Sequence, residues 1–171
     1  MELAELDRLP EPEAARALQA CCGSRRWVEI MVGRRPFGSR DSLRRAAEAV
    51  WRSLGPADWK EAFASHPRIG EAPEEGAGGL GASWSGSEQA GMSAAARGIR
   101  EEMARVNREY EARFGFIYLV CATGRSGEEL LGLARRRFGH DPETELGIAA
   151  AEQLRITLLR LDKLLEERST D

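Results

Sequence analysis

The chain carries two histidines, and one of them, His66, stands directly before a proline in FASHPRIGE (63–71). An imidazole exchanges protons near neutral pH, so a scarce histidine beside a residue that fixes backbone direction is a candidate general acid or base. Glu88, in WSGSEQAGM (84–92), supplies a carboxylate that can move a proton or set the tautomer and charge of an imidazole. Arg160, in EQLRITLLRLDKL (152–164), offers a planar fork of donors for anionic or carbonyl oxygens. Arg155 of the same stretch is the alternative, because helix geometry puts the two arginines on opposite flanks of a leucine stripe and does not choose between them. The apolar run FGFIYLVCATG (114–124) adds backbone donors and acceptors rather than reactive side chains. This is an acid/base set. Cofactor signatures are missing from the sequence: there is no GxGxxG after a strand, no GxxxxGK[ST] and no HExxH, and Lys60 and Lys163 are the only lysines that could form a Schiff base.

The elements that must position these residues read as helices. Leu43, Ala46, Ala47, Val50 and Leu54 recur at helical spacing, with Asp41 as the N-cap and Gly55 as the stop. A helix over 24–32 carries Trp27, Val28, Ile30 and Met31. Another starts at Pro56, carries Trp59 and Phe63, and must end near His66, since Pro67 cannot donate the next hydrogen bond. The glycine-rich stretch over 70–86 reads as a loop, long enough to be a lid or pocket wall. A long helix follows from Ser85 to about Arg113, with Met92, Ala96, Ile99, Met103, Val106 and Tyr110 on one face.

The run bounded by Gly115 and Gly124 has strand composition, yet a lone strand has no partner. It is expected to thread a helical core as a buried extended segment whose polar groups find partners other than a sheet. Ser126 and Glu129 form a capping box for the next helix, which stops at Gly139. Asp141 and Pro142 open the last helix, with Leu154, Leu158, Leu161 and Leu165 as its core stripe. The expected fold is all-α, a bundle of roughly six to eight helices in a single domain over 1–171.

Composition narrows the function. Net charge is −3 with 31% charged residues, which leaves no basic footprint for nucleic acid or an anionic membrane. Apolar runs fall short of the ~20 residues a bilayer span needs, and the acidic N-terminus does not read as a signal peptide. Cys21, Cys22 and Cys121 suit neither a disulfide framework nor a metal site, so reduced thiols in a cytoplasmic protein are expected. The C-terminus lacks a peroxisomal Ser-Lys-Leu.

Each candidate also has a plain structural reading. His66 suits the C-terminus of the helix that Pro67 ends, where a cation is favoured. Glu88 fits the N3 position of a capping box from Ser85. Arg160 at the edge of an apolar stripe suits snorkelling to water. His140 reads as the residue before the Asp141 cap, and Cys121 as a small buried apolar side chain. A helical interaction module without catalysis would be built from these readings; a cofactorless lyase acting on a related ring is the other alternative.

FASHPRIGE, WSGSEQAGM, RFGFIYLVCATGRS and EQLRITLLRLDKL, in that order and over essentially the whole chain, resemble the 2-oxo-4-hydroxy-4-carboxy-5-ureidoimidazoline (OHCU) decarboxylases of uric acid degradation. The resemblance implies an all-helical homodimer that needs no metal or organic cofactor and converts OHCU to (S)-allantoin and CO2. It implies catalytic roles for His66, Glu88 and Arg160. It further implies substrate contacts from Pro67, from Ser85, Gly86, Ser87 and Gln89, and from the backbone of Ile117, Tyr118, Leu119, Val120 and Cys121. The two readings of Glu88 separate in Glu88→Gln, which keeps the capping oxygen and removes the carboxylate. The expected result is an unchanged melting temperature with activity reduced roughly 10²- to 10⁴-fold, whereas full activity would leave Glu88 as a cap alone.

Overall fold

Short polar residues cap four of the helices in the computed structural model, which describes residues 1–69 and 97–166. Among these residues are eight α-helices: α1 (Leu3–Arg8), α2 (Glu11–Cys21), α3 (Arg25–Gly33), α4 (Arg40–Ser53), α5 (Pro56–Ala64), α6 (Arg97–Phe114), α7 (Gly127–Arg137) and α8 (Pro142–Glu166). No strand occurs among the described residues, and the all-α expectation is met. The glycine-rich stretch 70–84, the proposed helix start at Ser85, and Gly86, Ser87, Glu88 and Gln89 lie outside the described residues.

Ser24 caps α3 by accepting from the Trp27 N–H at 3.3 Å. Ser126 and Glu129 form the expected capping box on α7, and Asp141 accepts from the Glu143 and Thr144 amides at the start of α8. One cap differs from expectation. The cap of α4 is Ser39, whose hydroxyl takes the Ser42 N–H at 3.1 Å, while Asp41 lies inside the first turn. Its carboxylate there faces the positive end of the helix dipole, so it still favours the helix without closing its end.

The elements fall into two groups, Met1–Ala62 with Leu154–Asp171, and Phe63–Gln153. In the first, α2 packs on α3 and α3 on α4. Leu18, Cys21, Trp27, Met31, Leu43, Ala47 and Val50 are buried there, and the Trp27 indole donates to the Ala47 carbonyl at 3.2 Å. Side chains tie the ends down. Arg35 donates to the carbonyls of Leu6 and Leu9 at the end of α1. Asp7 accepts from successive amides of Phe37 and Gly38, a turn that Gly38 enters with a φ of 74° that side chains disfavour. Arg44 pairs with Asp162 of α8.

The second group pairs α6 with α7 and contains the extended segment, in which Phe116, Tyr118, Leu119, Val120 and Ala122 are buried. Tyr110 stacks at 4.6 Å on Phe114 and 5.3 Å on Tyr118. Beside this cluster lies a buried polar network. Arg137 donates to Glu145 through Nε (2.8 Å) and Nη2 (2.5 Å), and the Tyr110 hydroxyl donates to the same carboxylate oxygen. His140 Nδ1 meets the other oxygen at 2.9 Å, so the residue before the α8 cap is also a partner of this carboxylate. Burial works against the Arg137 charge, and hydrogen bonding to Glu145 overcomes it, leaving the guanidinium pKa raised.

The buried face of α8 differs from the leucine stripe read in the sequence. Leu161 and Leu165 are buried, but Leu154 and Leu158 are only half-buried. The inward line carries Glu145, Ala149, Glu152, Gln153, Ile156, Thr157 and Arg160. Polar residues can occupy it because they have partners, which hydropathy along one helix does not reveal.

Removing one member of a buried ion pair strands the other, at a cost of about 3–5 kcal/mol. Glu145→Ala is expected to lose stability on that order in urea unfolding. Arg44→Ala, which breaks a pair whose side chains are both 38% exposed, should cost less than about 1 kcal/mol. Equal losses would show that the Glu145 network does not support the fold.

Candidate active site

Helix α5 ends at Ala64, and the His66 amide makes a last turn-type bond to the Phe63 carbonyl at 3.1 Å. Pro67 then stops the pattern, as the sequence requires. The turn that follows is held by side chains of its own group of elements. The His66 ring Nε2 lies 2.9 Å from Oε1 of Gln153 on α8. Arg68 places Nε and Nη2 on one oxygen of Glu111, at 3.0 and 2.8 Å, and the Ile69 carbonyl accepts from Asn107 Nδ2 at 3.0 Å. Asn107 and Glu111 are one turn apart on α6, so a single helix face takes both. His66 is half-buried, and its ring Nε2 is engaged by Gln153.

The extended segment is anchored in the same manner. The Cys121 amide donates to Glu152 Oε2 at 2.8 Å, and the Leu119 carbonyl accepts from Arg137 Nη1 at 2.8 Å. The Tyr118 hydroxyl donates to the Leu130 carbonyl at 3.1 Å. Two backbone groups offered to a ligand in the sequence reading are therefore already engaged by side chains. Cys121 is half-buried rather than fully enclosed. Glu152 and Gln153 are consecutive on α8, so one turn of that helix holds both the extended segment and the histidine.

Arg160 lies in the other group of elements. It is 4% exposed and donates to the Ala20 carbonyl at 3.5 Å, which rules against the snorkelling reading. Arg155 is exposed, so burial distinguishes two arginines that spacing alone left equal. Near Arg160, burial pushes the Cys22 thiol up to about 11, with the Ser24 backbone and Thr157 pulling the other way. Such a thiol is not a nucleophile at neutral pH. Cys21, Cys22 and Cys121 are all free thiols.

The sequence reading missed Asn107, Glu111, Arg137, Glu145, Glu152 and Gln153. The available signal was in α8, where polar residues recur at helical spacing along what was taken for a leucine helix. Arg137 is third in an Arg-Arg-Arg run, and the run itself does not set it apart from its neighbours.

The fold is that of an all-helical protein in which a half-buried imidazole is anchored by a buried amide. The chain belongs to the OHCU decarboxylase family, whose model matches residues 7–162. It is 34% identical over 152 residues to the uric acid degradation bifunctional protein TTL of Arabidopsis thaliana, covering 88% of this chain and 47% of that protein. The chain thus spans about half the length of that relative. It is 31% identical over 134 residues to the OHCU decarboxylase of Amia calva, with 77% of this chain and 75% of that one covered. Among solved structures, an OHCU decarboxylase crystallised in the presence of (S)-allantoin superposes with a TM-score of 0.76 at 32% identity, over 86% of this chain and 96% of that one.

Burial pushes the Tyr118 phenol up to about 12 against the opposing pull of Arg137, and burial also raises Tyr110. Both of the chain's tyrosines are thereby held neutral. A folded-state pKa above the unfolded value of ~10 means that the unfolded chain releases these protons first. Their contribution to stability is then complete below about pH 10 and is lost as pH rises toward 12. Ultraviolet titration should find no tyrosinate in the folded protein at pH 10, whereas a normal phenol titration there would mean that the aromatic cluster is open to water.

Proposed function

We propose that the protein catalyses the decarboxylation of OHCU to (S)-allantoin and CO2 as a single helical domain over 1–171. The observation that carries this reading is the His66 turn, a family motif held in place by side chains from α6 and α8. Loss of CO2 leaves an electron pair, and here the substrate supplies the sink. The bond between the carboxyl carbon and the ring breaks, and its electrons pass into the adjacent ring imine. One proton must then be returned to a single face. His66 moves that proton, Glu88 assists as carboxylate, and Arg160 binds anionic or carbonyl oxygens through its planar fork. Pro67, Ser85, Gly86, Ser87, Gln89 and the segment from Ile117 to Cys121 form the rest of the binding surface. Because the Leu119 carbonyl and the Cys121 amide already have partners, Ile117 and Val120 are the stronger backbone candidates.

Among the described residues no helix is long and apolar enough to cross a membrane. We assign the protein to the cytoplasm as a homodimer, acting on a small molecule without nucleic acid or membrane partners and without a cofactor. The decisive assay supplies freshly generated OHCU and follows optical activity. The parent protein should yield (S)-allantoin faster than buffer, and racemic product at the buffer rate would overturn this reading and favour a helical interaction module. His66→Asn should lose roughly 10²- to 10⁴-fold in rate with an unchanged melting temperature. Arg160→Lys should lose much of its kcat/KM through loss of the bidentate fork, and the exposed Arg155→Lys little. A sensitive Arg155 would move the substrate arginine to the other face of α8.

A further inference from the structure

Gln153 plays no part in the chemistry above, yet it is fully buried and presents Oε1 at 2.9 Å to the ring of His66. We propose that Gln153 is a positioning residue, which holds His66 in the tautomer protonated on Nε2. This deepens the reading of His66 as the acid/base residue and rests on it.

A carbonyl oxygen only accepts hydrogen bonds, so the ring nitrogen facing it must carry a proton. That holds for the neutral ring and for the imidazolium alike. The proton exchanged with a substrate then passes through Nδ1, because Nε2 remains a donor in both charge states. A carboxylate in place of the amide would favour imidazolium and raise its pKa by about one to three pH units. Glu152, the preceding residue on α8, accepts from the Cys121 amide, and Arg68 on the same turn as His66 is paired with Glu111 of α6. Complete burial of Gln153 restricts its rotamers, so the amide fixes the plane of the ring as well as its proton.

Nitrogen-edited NMR of the two histidines tests the proposal, with His66→Asn separating the His66 signals from those of His140. In the parent protein the neutral His66 ring should be protonated on Nε2. Gln153→Met keeps the volume and removes the acceptor; it should give a mixture of tautomers and a loss in kcat/KM of about 10- to 10²-fold, as expected for a misplaced reacting group. Gln153→Glu, equal in shape, should raise the His66 pKa by about one to three pH units and shift the His66 limb of the pH–rate profile by the same amount. A residue that merely fills space would move neither the tautomer nor the titration. An Nδ1-protonated ring in the parent protein, an unchanged tautomer in Gln153→Met, or an unchanged His66 pKa in Gln153→Glu would each overturn the proposal. The ring measurements on the parent protein stand whether or not the variants fold. A parent protein that gives only racemic allantoin at the buffer rate overturns the decarboxylase reading instead, and the NMR result remains separate from it.

Discussion

Extended backbone buried away from water must find its hydrogen bonds somewhere, and the segment from Phe116 to Ala122, with no strand beside it among the described residues, takes them from side chains. Arg137 reaches the Leu119 carbonyl and Glu152 takes the Cys121 amide. A buried guanidinium needs a counter-charge, which Glu145 provides, and Glu145 in turn collects Tyr110 and His140. The polar line along α8 follows from this chain of needs. A helix with leucine at each of those positions would bury more apolar area and leave the segment's polar groups without partners, a cost of ~1–3 kcal/mol for each.

The same constraint shapes the candidate site. Since α8 already carries Glu152 for the extended segment, the next residue, Gln153, meets the His66 ring. From α6, Asn107 and Glu111 hold the two residues after Pro67. The turn is therefore set by helix faces rather than by its own backbone, which gives a half-buried histidine a defined direction. Pre-organisation of this sort is what proton transfer to one face of a ring demands, because misplacement by about 1 Å can cost on the order of 10²-fold in rate. Asn107 Oδ1 stays buried without a hydrogen-bond partner among the described residues.

Family membership and local geometry bear on different parts of the function. The family match covers residues 7–162 and brings a known class of reaction, while the geometry explains how individual groups would serve it. For Arg160 the contribution is burial: at 4% exposure, an arginine is retained in the interior only with partners for its charge. For the cysteines the contribution is negative, because a Cys22 thiol pushed up to about 11 by burial adds no nucleophile to the acid/base set.

Local signals were sufficient to read the helices. Ser24, the Ser126–Glu129 box and the Asp141–Pro142 start act through neighbours a few residues away, so their effects are written in short stretches of chain. Pro67 fixed the end of α5 near His66 for the same reason, and the lone apolar run declared itself as extended by having no second strand to pair with. Ser39 displaced Asp41 as the α4 cap because either side chain suits that end, and only the three-dimensional path of the chain selects one. Arg155 and Arg160 were equal by spacing, and only the tertiary structure shows that Arg160 is buried and Arg155 exposed. Gln153, Glu152, Asn107 and Arg137 were invisible because their partners lie 18 to 87 residues away in sequence. A hydrogen bond across such a separation is specified by packing, which no periodicity along a single helix contains.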